Sequence, residues 1–200
     1  MKIFHKNKLN RHDEEITAKQ LAKLPILLQK KIGGYRSLKK QQQRIDGLLL
    51  LEEAILYFEL DTVVYNLNTL QYTENGKPFF DDIISFSLAY SDGCSVLVFS
   101  KNGCVGIDIE KIKPIAINDY KPYFTVKEWG IIATAANQHL QFYTLWTRKE
   151  AVAKAIGSGI FMVFEELEVL HDVVVLEQKW AITTEILDGD YVLSVVEEIR

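Results

Sequence analysis

Cysteine, proline and methionine are scarce in this chain: two Cys, four Pro and two Met in 200 residues. Cys94 and Cys104 match no metal-ligand spacing and build no disulfide framework, so two reduced structural thiols are expected. The histidines His5, His12, His139 and His171 stand isolated, and a structural role is the default for each. No long apolar run is present. Leu48 to Leu51 continue into Ala54, Ile55, Leu56 and Tyr57, but Glu52 and Glu53 interrupt them. A membrane span needs about 20 apolar residues, so this is a core helix and no membrane partner is expected. Met1-Lys-Ile-Phe-His carries no apolar run of a signal peptide, which points to the cytoplasm. Excess positive charge is missing too: 23 Lys and Arg against 27 Asp and Glu give a net charge of −4. A general nucleic-acid surface is thereby disfavoured. The one basic cluster, Arg36, Lys39, Lys40 and Arg44, is of interest as a local anion site, although a basic helical turn is ordinarily only solvated.

What is present is a core. A chain of this length with 48% hydrophobic residues can fold as one domain or two small fused lobes. Patterning predicts a strand at 1–5, a helix at 14–31 disturbed at Pro25, and a longer helix over 36–58. Strands are expected near 62–66, 69–73, 83–90 and 94–100, and again over Asp108. Thr125 and Glu128 form a Thr-x-x-Glu box that starts a helix running to about residue 136. A helix over 140–156 follows, then strands near 166–176, 179–187 and 190–197, the last two joined by an Asp188-Gly189 turn. The fold class is α+β, with a boundary near 101–103.

Chemistry concentrates in two segments. In Gly103-Cys-Val-Gly-Ile-Asp-Ile-Glu110, apolar Val105, Ile107 and Ile109 alternate with Gly106, Asp108 and Glu110, the period of a strand with one polar face. Asp108 and Glu110 therefore point the same way, with Gly106 expected to leave room for a ligand beside them. Two such acids repel unless a cation sits between them, and Mg²⁺ prefers a few carboxylates plus phosphate oxygens and water. In Trp146-Thr-Arg-Lys-Glu-Ala-Val-Ala-Lys154, Glu150 and Lys154 share one face of a helix that Gly157 and Gly159 stop. Alone, such a pair is a surface salt bridge of about 0.3–0.5 kcal/mol. Trp146 is expected to fix the helix in the core, and Lys149 faces another side.

Together these segments resemble the 4'-phosphopantetheinyl transferases of the Sfp type, which carry a G-(I/V)-D-x-E strand and, about forty residues on, a W-(S/T)-x-K-E-(S/A)-x-x-K helix. The likeness continues at Asn75-Gly-Lys-Pro78, where the family has a G-K-P turn, and at Phe124-Thr-Val-Lys-Glu128, and spans most of Arg36 to Arg200. The family segment F-N-(I/L)-S-H-S stands here as Phe86-Ser-Leu-Ala-Tyr-Ser91, with Ala89 for the serine and Tyr90 for the histidine. A tyrosine donates one hydrogen bond but brings a phosphate no positive charge.

The resemblance implies antiparallel sheets packed with helices in two similar lobes, residues 1–102 and 103–200, related by a pseudo-twofold axis, with the site in the cleft between them. It implies transfer of the phosphopantetheine arm of coenzyme A to a serine of an apo acyl or peptidyl carrier protein. Asp108, Glu110 and Glu150 would hold Mg²⁺, Glu150 would also take the serine proton, and Lys154 would steady the transferring phosphate. Arg44, Lys77, Tyr90 and Lys154 would contact coenzyme A. With both lobes on one chain, a monomer is expected. The alternative is a non-catalytic coenzyme A binding homologue. A metal-dependent nuclease is disfavoured by the acidic charge, and a purely structural protein would make the same charges into surface pairs.

Overall fold

The structure, a computed structural model, describes residues 1–7, 14–80, 84–157 and 164–199. Strand β1 (Lys2–Asn7) is followed by helices α1 (Glu14–Leu21), α2 (Ile26–Gly33) and α3 (Leu38–Tyr57). Pro25 does more than disturb one helix: it separates α1 from α2 and caps the latter at φ −52°, ψ 143°, since its ring fixes φ and it has no N–H to continue a helix. Ser37 caps α3 by accepting from the Lys40 N–H. Ile45, Leu48, Leu51 and Ile55 then recur at helical spacing on a buried stripe.

The strand expected at 62–66 is absent. Asp61 takes over those backbone donors, its carboxylate accepting from Val63 N–H and its carbonyl from Tyr65 N–H. A short polar side chain thus outbids a β-branched pair by offering a local turn. Short strands β2 (Gln71–Tyr72) and β3 (Pro78–Phe79) pair with each other, and β4 (Ser85–Ser91) and β5 (Cys94–Ser100) join β1 in an antiparallel sheet ordered β1-β5-β4.

Strand β6 (Val105–Lys111) opens the second sheet. A 3-10 turn, Ile117–Tyr123, precedes α4 (Val126–Thr134), whose capping box is formed by Thr125 and Glu128 as expected, and α5 (Gln138–Ile156). Strands β7 (Val173–Val175), β8 (Lys179–Leu187) and β9 (Tyr191–Ile199) complete an antiparallel sheet ordered β6-β9-β8-β7. Asp188 and Gly189 both take positive φ in the turn between β8 and β9. No strand forms over 164–172: Lys149 Nζ takes the Phe164 and Leu167 carbonyls and Glu128 takes the Val169 N–H, so these backbone groups are held by side chains instead of a ladder.

The α+β expectation is met, each larger sheet being antiparallel and carrying one long helix. Helix α3 packs on the first sheet and α5 on the second, while Ala89, Val96 and Val98 meet Ile107, Ile109, Leu193 and Val195 between the sheets. Strands β4 and β6 run side by side along this seam. Their link is made by side chains: the hydroxyls of Ser85, Ser87 and Ser91 accept from the N–H groups of Val105, Ile107 and Lys111. No helix among the described residues is long and apolar enough to cross a membrane.

Candidate active site

Helix α5 crosses the polar face of β6 so closely that a Cβ on Gly106 would lie 2.0 Å from the Ala151 carbonyl oxygen and 2.5 Å from the Ala155 nitrogen. The space expected there for a ligand is filled by the helix backbone. Gly106 serves instead to let α5 approach, with small Ala151 and Ala155 on the facing side, and that approach carries Glu150 and Lys154 to Asp108.

Asp108 is 5% exposed and accepts from Lys154 Nζ through Oδ1 at 2.6 Å. Its Oδ2 is buried with no hydrogen-bond partner. Burial pushes its carboxyl above the usual range, against the pull of Lys154. Glu110, two residues on and on the same face, accepts from the Ser91 hydroxyl at 2.9 Å. Burial, then repulsion from Asp108 and Glu150, drives Glu110 up to about 7, with Ser91 and Lys154 acting the other way. Glu150 is raised by burial and by Asp108. Three carboxyls therefore lie near enough to repel one another in one partly dry region, each held toward its neutral form, with one buried oxygen unanswered. That donor set fits a hard divalent cation. Among the described residues no three ligating side chains are already gathered into one cluster, and Lys154 holds Asp108.

Beside this spot lies a cavity of about 430 Å³ lined by Arg44, Lys77, Tyr90 and Lys154, so the four residues assigned to coenzyme A share one wall system. Arg44 lies 4.2 Å from the centroid of the Tyr90 ring. Burial pushes the Tyr90 phenol up to about 12, so it stays a neutral donor. Lys77 donates to the Lys154 carbonyl at 2.7 Å, tying the Gly76-Lys77-Pro78 turn to the last turn of α5, and burial lowers its pKa.

The basic cluster read from sequence does not act as a unit. Arg36 and Lys40 are exposed, Lys39 pairs with Asp92, and only Arg44 lines the cavity. Lys111 and Lys113 also pair with Asp92, whose carboxyl Lys39 first and Lys113 second hold down at about 2. The cavity instead gains Lys31, whose Nζ sits 3.2 Å from the Tyr72 ring centroid, together with Tyr35. Nothing in the pattern of α2 or β2 marks Lys31 or Tyr72 in advance. Ser91 was visible as the last residue of the Phe86–Ser91 segment, but its bond to Glu110 depends on how the two sheets meet. Trp146 is a core residue as expected, stacked on Phe142 at 5.9 Å with Tyr120 and Phe164 at its edges. Lys149 faces away from the carboxylates and is fully buried, paired with equally buried Glu128 at 2.8 Å.

Residues 104–196 match the model of the 4'-phosphopantetheinyl transferase superfamily. The chain is similar to the 4'-phosphopantetheinyl transferase gsp of Aneurinibacillus migulanus, 30% identical over 161 residues that cover 78% of this chain and 64% of that protein. It is likewise similar to the 4'-phosphopantetheinyl transferase Sfp of Bacillus subtilis, 30% identical over 57% of this chain and 51% of the relative. With the 4'-phosphopantetheinyl transferase psf-1 of Bacillus pumilus the identity is 38% over 43% of this chain and 38% of the relative. The chain thus spans less than two thirds of the length of each of these relatives.

Proposed function

We propose that this chain, which over residues 104–196 matches the 4'-phosphopantetheinyl transferase superfamily, moves the 4'-phosphopantetheine arm of coenzyme A onto a serine of an apo acyl or peptidyl carrier protein. The observation that carries this reading is the meeting of Asp108, Glu110 and Glu150 with Lys154 beside a cavity lined by Arg44, Lys77 and Tyr90.

In this reading residues 1–102 and 103–200 are two lobes, and the cavity between them takes coenzyme A. Arg44 and Lys77 would bind its phosphates, with Tyr90 donating one neutral hydrogen bond. Asp108, Glu110 and Glu150 would hold Mg²⁺. A magnesium ion bound there would neutralise the diphosphate oxygens as charge develops on them. The serine Oγ attacks the β-phosphorus, the bond from that phosphorus to the bridging oxygen breaks, and 3',5'-ADP leaves with the electron pair. Glu150, held toward a higher pKa by burial and Asp108, takes the serine proton. Lys154, one turn further along α5, steadies the transferring phosphoryl group. Carrier proteins of this kind are acidic helical bundles, for which basic residues at the cleft rim would guide docking. A cytoplasmic monomer completes the reading.

Intact-mass spectrometry of an apo carrier protein incubated with this protein, coenzyme A and Mg²⁺ tests it. A gain of about 340 Da that EDTA abolishes is the expected result. No gain across several carriers, with coenzyme A still bound, would assign the chain to non-catalytic coenzyme A binding.

A further inference from the structure

Tyr90 stands where the related segment has a histidine, and its surroundings are built around the larger ring. On α3, a Cβ at Gly47 would lie 2.3 Å from the Tyr90 hydroxyl and 2.8 and 2.9 Å from two ring carbons. The ring can occupy its seat only because position 47 carries no side chain. Glycine in the interior of a twenty-residue helix is otherwise a poor choice. One turn earlier on the same helix, Arg44 lays its guanidinium over the Tyr90 ring at 4.2 Å from the centroid, and the Tyr90 hydroxyl bonds to the Arg44 side chain. Tyr35 flanks the same guanidinium at 5.7 Å. A planar guanidinium laid over an aromatic face and giving one donor to its hydroxyl keeps its other edge donors for a phosphate, a fit that lysine does not share. Of the other cations around the cavity, Lys77 is engaged by the Lys154 carbonyl, Lys154 by Asp108, and Lys31 rests on Tyr72.

We propose that Tyr90 is a positioning residue that aims Arg44 at a ligand phosphate, and that Gly47 exists to admit its ring. The inference rests on the coenzyme A reading of the cavity. Where a histidine would add a charge of its own, Tyr90 adds none, so its whole effect on anion binding passes through Arg44. Dependence of that kind separates positioning from a merely structural role.

The test is calorimetric titration of the full chain with coenzyme A, without metal, for wild type, Y90F, Y90A, R44A, the Y90A/R44A double variant, G47A and Y90A/G47A. Thermal melts are recorded alongside. Y90A is expected to weaken binding about tenfold and Y90F, which keeps the ring, about threefold or less. In the R44A background Y90A should cost nothing further. G47A should weaken binding in the wild-type background by displacing the ring, while Y90A/G47A binds no worse than Y90A. Equal Y90A penalties with and without Arg44 would overturn the positioning role, as would undiminished binding by Y90A. If Y90A fails to fold, the Y90F and G47A arms decide: wild-type affinity in G47A overturns the proposal. A wild-type protein that binds no coenzyme A overturns both the proposal and the reading beneath it.

Discussion

Lys154 Nζ lies 2.6 Å from Asp108 Oδ1 where α5 crosses β6, while Asp108 Oδ2 stays buried and unpartnered. Half of this carboxylate is answered by the protein and half is not. Replacing Lys154 by Met leaves a buried acid with no counter-ion, which costs more than an exposed pair is worth. Lys154 is itself partly exposed, so the expected loss is about 1–3 kcal/mol in urea unfolding. Mg²⁺ should restore more stability to K154M than it adds to wild type, because the freed oxygens can then both turn to the ion. Equal unfolding midpoints for the two proteins would mean that the pair is merely solvated.

The crowding of acids gives the apo protein a characteristic pH dependence. Glu110 is raised from 4.5 to about 7 in the folded state, by burial first and Asp108 second. A carboxyl with a raised folded pKa binds protons more tightly when folded, so its penalty is absent below about pH 4.5 and complete above about pH 7. Stability should therefore fall as pH rises through that window. E110Q should flatten the fall by about 1–3 kcal/mol, measured as the difference between urea midpoints at pH 5 and pH 8 without metal. Parallel pH profiles for wild type and E110Q would remove Glu110 from the crowded set.

Glu150→Gln changes shape little but removes both a candidate metal ligand and the candidate base. Transfer should drop below a tenth of wild type in the mass-spectrometric assay, with the melting temperature unchanged or raised, since burial and Asp108 already oppose the charged form. Activity above that tenth would relieve Glu150 of the role.

The elements that were legible in the sequence are those with strong local signals: the Thr125–Glu128 box, the Asp188–Gly189 turn and the long apolar stripe of α3. On β6 and α5 the order of the acids and the lysine along each element was enough to say which face each occupies. Gly106 was misread because a missing side chain announces closeness without saying what comes close, and here it is helix backbone. Residues 62–66 were misread because a single aspartate at 61 outweighs two valines when it can close a turn. Ser91, Lys31 and Tyr72 could not be found from pattern, since each owes its position to how separate elements pack across the seam and the cavity.

That seam carries the last prediction. Along β4, Ser85, Ser87 and Ser91 each accept an N–H from β6, at Val105, Ile107 and Lys111, and the missing rung lies between Ala89 and Ile109. Backbone N–H groups alternate along a strand, so the Ile109 donor faces the same side as those of Ile107 and Lys111, and there the Asp108 carboxyl bonds to it in place of a serine. Ala89→Ser adds a second acceptor at that rung, beside the Asp108 carboxyl. The gain expected from sharing a buried donor is at the low end for a hydrogen bond, about 0.5 kcal/mol, or about 1–2 °C in melting temperature. Exchange of the Ile109 amide with solvent should slow in the same variant, as it would not if the serine merely packed. Ala89 is 2% exposed among Val96, Ile107 and Ile109, so a hydroxyl that fails to reach the amide would be buried without a partner and lower the melting temperature instead. A stabilised A89S with a protected Ile109 amide would show that the joint between the two sheets is a serine ladder with one rung removed, directly beside Asp108.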